Sequence, residues 1–394
     1  MQRLYRIPLL FLFLAAAIGL FLRWQFVSPT PGIRYTYFLH AHSHVMFLGW
    51  VTNALFLAFV EYHLPGLKRH WYRRLFWALQ VLVLGMLISF PIQGYGLYSI
   101  IFSTLHTLLM MAFAIHFFKE TRTDNRTSVW FARISLFFFF ISTAGPFALG
   151  YLMANNLGQS VWYNFSIYYY LHFQYNGFFT FGILSIFFLM LETKGIEFSG
   201  LRVLRFGRWM AIACIPAYAL SVLFAEPGTV FNAIGFIAAV IQIGAFAFLL
   251  KEVKSIRTDL SDRIDPTAYK LFILVTISVG LKLVLQLASA HAYIAALAYS
   301  MRPVIIAYLH LVLVGVISLF ILAWYVDRQF IKREWAYRGL ALLLIGFVGS
   351  EVCLLLQPSS TLLRWTFGFS ILMFLATFMY ILSPLPPDKN QSHV

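Results

Sequence analysis

The chain has 394 residues, of which 61% are apolar and only 11% charged. A soluble domain carries about 25% charged residues, so a soluble enzyme is excluded and an all-α, polytopic membrane protein is expected. The two cysteines, Cys214 and Cys353, both lie in apolar runs and offer neither a disulfide framework nor a paired-cysteine metal motif.

In chain order, hydropathy predicts about twelve membrane spans, near 8–27, 39–62, 71–92, 95–118, 129–153, 165–191, 202–224, 227–250, 267–289, 302–326, 335–357 and 361–383. The first has a basic, signal-like flank (Arg3, Arg6), but Arg23 and Trp24 suit an interfacial end, so it reads as an uncleaved span. Gly145-Pro146 in the fifth span and Pro216 in the seventh are expected kinks, which membrane helices tolerate. The spans are expected to form one transmembrane domain (1–383), followed by a short, disordered cytoplasmic tail (384–394). No loop is long enough to fold as a soluble domain, and no strong internal repeat is evident.

Charge sets the topology. The N-terminal segment, the alternate loops and the C-terminal tail carry 24 of the 29 Lys and Arg residues. Only Arg23, Arg34, Arg302 and Arg364 fall on the opposite side, and Lys282 is intramembrane. This bias places both termini in the cytoplasm, in a cytoplasmic (inner) membrane. The net charge of +15 is thus a topology signal that points to the lipid bilayer as partner, with no nucleic acid.

The histidines carry the functional signal. The second, fourth, sixth and tenth spans run from outside to inside, so depth follows from the helical rise. His44 lies roughly 8 Å below the outer end of its span, His172 roughly 10 Å, His310 roughly 12 Å and His106 roughly 16 Å. His291 sits near the outer end of the ninth span. Ionisable groups in hydrocarbon are costly and mark functional sites by default, and histidine is the commonest metal ligand. His40 and His44, four residues apart, share a helix face from which His42 points away. Three ligands to one metal from this helix alone are therefore excluded. A single intramembrane histidine more often hydrogen-bonds a neighbouring helix; a shared depth across five spans is what raises cofactor ligation above that reading.

Four further features belong with the histidines. Tyr175 follows His172 by three residues and shares its face. Lys282 and Glu351 lie inside the ninth and eleventh spans, where each needs a partner, a water cavity or a neutral state. Arg34 and Arg302 flank histidine-bearing spans at the outer surface, placed to hold a haem propionate or a lipid headgroup. Tyr168, Tyr169 and Tyr170 read as an aromatic belt.

The segments HAHSHVMFLGW (from His40), YLHFQYNGFF (from Tyr170) and YLHLVLVG (from Tyr308) resemble the histidine spans of proteins related to subunit I of the haem–copper oxidases. NnrS-type haem- and copper-containing membrane proteins have a similar length and a similar opening motif. The resemblance implies a low-spin haem held by His44 and His310; His42, Arg34 and Arg302 are further cofactor-binding candidates by their position in the sequence. It also implies a second site with copper, of which His172 and His106 would supply part; His291 is a metal-ligand candidate by its position alone. The family's adjacent histidine pair in the seventh span and its second histidine in the tenth are missing here, which implies a reduced or altered site.

The expected function is therefore a haem-binding membrane protein, with copper as a further candidate cofactor, acting in redox or in nitric oxide or oxygen chemistry with histidine ligands in the outer half of the bilayer. If it is an enzyme, it is an oxidoreductase, supplied by an electron-donor protein or another redox subunit. The alternatives are a multi-pass transporter using intramembrane His, Lys and Glu, and a non-catalytic assembly or stress protein that holds haem or copper.

Overall fold

The computed structural model describes residues 2–64, 66, 69–356 and 359–384. Beyond residue 384 the expected disordered tail lies outside the described residues, as do Lys68 and Lys389. Among the described residues the chain is all helix, with no strand.

Twelve helices are long and apolar enough to cross a membrane. They are span 1 (Arg3–Val27), span 2 (Tyr35–Tyr62), span 3 (His70–Gln93), span 4 (Leu97–Glu120), span 5 (Thr127–Ala154), span 6 (Val161–Thr193), span 7 (Gly200–Ala225), span 8 (Thr229–Ser255), span 9 (Pro266–Ala288), span 10 (Arg302–Asp327), span 11 (Arg333–Leu355) and span 12 (Ser360–Leu382). Each coincides within a few residues with one expected from hydropathy. Two short helices were not expected: Arg257–Arg263 in the longest basic loop and Ala292–Ser300 between spans 9 and 10.

Exposed side chains along these helices are apolar: Val81, Ile88 and Ile92 on span 3, Ile234 and Ile237 on span 8, Ile277 and Val284 on span 9. A soluble surface does not carry such continuous apolar faces; a bilayer requires them. This is a multi-pass membrane protein. Spans 2 and 6 differ from the rest, being buried over 89% and 78% of their most apolar windows against 22–56% elsewhere. These two are interior helices, and both carry histidines.

The chain divides into two compact units. One comprises Met1–Ile115, Asp265–Ala268 and Ile321–Val394; the other His116–Ile264 and Tyr269–Phe320. In the first unit span 12 packs between spans 1 and 11. Small residues allow the approach: a Cβ at Gly346 would lie 2.6 Å from the Phe369 carbonyl oxygen. A buried amide pair fastens span 2 to span 3, with Asn53 Nδ2 donating to Gln80 Oε1 (2.8 Å) and Gln80 Nε2 donating to Asn53 Oδ1 (3.0 Å). In the second unit Gln286 of span 9 donates to Gln242 of span 8 at 2.7 Å.

The two prolines foreseen as kinks act differently. Span 7 tightens to a 3₁₀ helix from Pro216 to Ala225, whereas span 5 continues helical through Pro146.

Candidate functional site

The histidine spans share one construction. Span 2 is regular α-helix to His44, then π-helix over Val45–Thr52. Span 6 is α-helix to His172, then π-helix over Phe173–Phe179. Span 10 is α-helix to His310, then π-helix over Leu311–Ser318. Wide turns of this kind are rare and concentrate at functional sites. The backbone groups they disturb must be satisfied within hydrocarbon, and nearby polar side chains do this. Asn53 Nδ2 donates to the Gly49 carbonyl (2.8 Å), Thr180 Oγ1 to Tyr175 (2.6 Å) and Ser318 Oγ to Leu313 (2.7 Å).

Five residues after each histidine stands a glycine: Gly49, Gly177 and Gly315. At the first two, a phenylalanine of the preceding span occupies the place of a side chain. A Cβ on Gly49 would meet Phe11 at 2.7 Å, and one on Gly177 would meet Phe138 at 2.5 Å. Each of these spans also ends with a carboxylate that anchors the start of the span before it. Glu61 accepts from the Tyr5 hydroxyl, Glu192 from the Ser128 amide and hydroxyl, and Asp327 from the Asp265 amide (3.1 Å). Histidine, glycine at +5, closing side chain and acidic end thus recur three times, at a spacing of four spans. The expectation of no internal repeat is corrected. The signal in the sequence was the His-x4-Gly spacing, too short to stand out until the π segments and acidic ends accompany it.

The same frame serves different surroundings. In the first unit the His44 Nδ1 lies 2.9 Å from the His40 carbonyl oxygen. A carbonyl only accepts, so Nδ1 carries the proton and Nε2 carries the lone pair. The ring packs against Phe90 at 4.3 Å and Tyr95 at 5.9 Å. His40 stacks closer to Tyr95, at 4.5 Å. His42 points away, as its helical position requires: its Nδ1 donates to the Ala15 carbonyl of span 1 at 2.8 Å, over Gly19. His106 of span 4 is 1% exposed, lies within electrostatic range of His44, and has an Nε2 with no hydrogen-bond partner. Donation of Nδ1–H to a carbonyl is the arrangement that orients metal-binding histidines. His44 and His42 both have it.

In the second unit His172 is saturated. Its Nε2 donates to the Cys214 carbonyl (2.8 Å), and its Nδ1 accepts from Asn176 Nδ2 (3.2 Å) and from Ser221 Oγ (3.4 Å). Both ring nitrogens are used by spans 6 and 7, so a metal at His172 would have to displace one of these bonds. Lys282, 8% exposed on span 9, lies within electrostatic range of His172 and Cys214 and forms no hydrogen bond or ion pair among the described residues. Tyr175 is buried near Cys214, Tyr168 and Tyr308. His310 ends the α-helical part of span 10 and is half-buried. His291 is exposed in the turn after span 9.

The flanking arginines are both exposed. Arg34 donates to the Tyr37 hydroxyl at 2.6 Å and lies over its ring, whereas Arg302 opens span 10 within electrostatic range of Tyr168. Glu351 receives a hydrogen bond from Ser350 at 3.2 Å and has Arg23, at the end of span 1, as its charge neighbour. The intramembrane carboxylate thus lies within electrostatic range of an opposite charge.

Among the described residues no three His, Cys, Asp or Glu side chains converge as a metal ion would require. A three-imidazole copper centre therefore does not fit the groups present. Axial ligation of a haem iron does fit, since it asks of each helix one oriented imidazole with a free nitrogen lone pair. His44 supplies one. No protein-family model matches the chain, and no curated protein matches it.

Proposed function

We propose that this chain is a haem-binding redox protein of the cytoplasmic membrane, with both termini in the cytoplasm, acting on nitric oxide or oxygen or relaying electrons to a partner subunit. The observation that carries this reading is His44: a histidine in an interior helix, its proton fixed on the His40 carbonyl, its other nitrogen left with a lone pair, beside a second buried imidazole. A bound haem would supply one-electron chemistry at the iron. The residues hold the His44 ring in one tautomer, pack it against Phe90 and Tyr95, and buttress the helix with Phe11 against Gly49. The sequence resemblance supports the same class. Copper is a secondary candidate, limited to sites with fewer than three protein ligands of this kind.

The test is the visible spectrum of the purified protein from haem-replete cells, oxidised and dithionite-reduced, with metal analysis on the same sample. The expected result is a Soret band with sharp reduced α and β bands, lost in His44→Ala. A colourless, metal-free protein overturns the reading.

One observation favours a second reading, a transporter. Lys282 is a buried cation without a carboxylate among the described residues, a state suited to a passing anion. Vesicle uptake abolished by Lys282→Met would support it. Equal uptake by variant and parent would dismiss it.

A further inference from the structure

We infer that His44 and His106 together form a two-imidazole metal site inside the first unit, built from spans 2 and 4. The inference rests on the metal-binding reading above and goes beyond it by naming the second ligand. The resemblance pairs His44 with a histidine of span 10; the pairing with His106 of span 4 is new.

Three observations converge. First, His106 is almost wholly buried and its Nε2 has no partner. Buried polar atoms in native proteins are nearly always satisfied, and an exception has a cause, of which a bound water or ion is one. The neighbouring hydroxyls do not serve it: Thr107 Oγ1 donates to the Ser103 carbonyl and Ser103 Oγ to the Ile100 carbonyl, both on their own helix. Second, His44 presents the complementary group. Its Nδ1–H is held by the His40 carbonyl, which also receives Ser43 Oγ, so its Nε2 is the lone-pair nitrogen. Among the described residues no hydrogen bond holds the His106 proton on either ring nitrogen, so its Nε2 is free to present a lone pair, and a metal centre shared with the His44 Nε2 satisfies both. Third, the two histidines belong to the same compact unit. They lie within electrostatic range of each other, and their spans meet further along through Phe56 and Phe113, whose rings are 4.4 Å apart. Two imidazoles are the donor set of a haem iron with both axial positions filled, or of a bare copper(I) ion. The shared chemistry is a soft or borderline metal that accepts two neutral imidazole nitrogens.

The experiment uses the full-length protein purified in mild detergent from cells supplied with haem and copper. Wild type, His106→Ala, His106→Gly with added imidazole, His44→Ala and, as an exposed control, His291→Ala are compared by absorption, by low-temperature paramagnetic resonance and by metal analysis. If the metal is haem iron, His106→Ala converts a low-spin spectrum to a high-spin one, imidazole restores it in His106→Gly, and His291→Ala matches wild type. If the metal is copper(I), wild type shows about one copper per chain without a Soret band, at least tenfold less in either variant. That result upholds the pair and replaces the haem. A wild-type low-spin spectrum, or full copper content, in monodisperse His106→Ala overturns the pair while leaving His44 as a ligand. A wild type with neither haem nor copper overturns the underlying reading as well. Imidazole rescue separates a lost ligand from a lost fold.

Discussion

His44 in the first unit and His172 in the second stand in the same local frame and are used in opposite ways. Each closes an α-helical stretch, each is followed by a π segment, and each has a glycine five residues on that receives a phenylalanine from the preceding span. Around His172 the protein fills every ring position with its own donors and acceptors. Around His44 it fills only Nδ1, and it places a second unsatisfied imidazole nearby. The frame is therefore architecture. Chemistry is decided by what meets the ring nitrogens, a property of neighbouring spans and not of the motif.

The largest effect should break the comparison outright. His44→Ala is expected to lower cofactor absorbance per protein at least tenfold, the range seen when metal-site contacts are removed. His172→Ala should leave the spectrum unchanged. Absorption at matched protein concentration checks both, and equal loss in the two variants would show that His172 is a ligand after all. Next in size, Gly177→Leu should give no monodisperse protein, because Phe138 already occupies the space. Gly177→Ala should cost about 1–3 kcal/mol by forcing the same ring to move, read as a fall in the detergent thermal midpoint.

His172→Ala has its own cost. It strands the Cys214 carbonyl and Asn176 in the interior, and each buried group left without a partner costs about 1–3 kcal/mol. Lys282, a few side chains away, should behave in the opposite sense. Burying a charge without a partner is costly, so Lys282→Met, which replaces it by an apolar side chain of like length, should hold or raise the midpoint. A lower midpoint would mean that the amine has a polar partner that keeps it in place.

Much of this was legible in the sequence, and the rest was not for physical reasons. The twelve spans follow from hydropathy, because a bilayer imposes length and apolarity on each helix separately. That His42 and His44 diverge follows from helical phase. The charge neighbour of Glu351 was not legible, because Arg23 is distant in sequence and was assigned to the interface. Nor was the saturation of His172, which depends on a main-chain carbonyl at Cys214, a group every residue has. The exposure of His291 came from the short helix Ala292–Ser300, whose start turns the chain just beyond span 9. The three-fold recurrence was hidden because its elements are single residues. Asn53, Thr180 and Ser318 perform one task with three different side chains.

That shared task yields the smallest effect and the sharpest test of whether the frame is architecture. Ser318 Oγ donates to the Leu313 carbonyl at 2.7 Å across the wide turn. If the π segment is held chiefly by packing and by its own backbone bonds, Ser318→Ala removes one intramembrane hydrogen bond, about 0.6 kcal/mol on average. Asn53→Ala should cost more, since Asn53 both closes its π segment and exchanges two bonds with Gln80 of span 3. The midpoints of the two variants, measured side by side, should fall in that order. A loss at Ser318 as large as that at Asn53 would mean that the closing bond itself holds the turn open. The histidine preceding each π segment would then owe its orientation to a residue eight or nine positions further along the same helix.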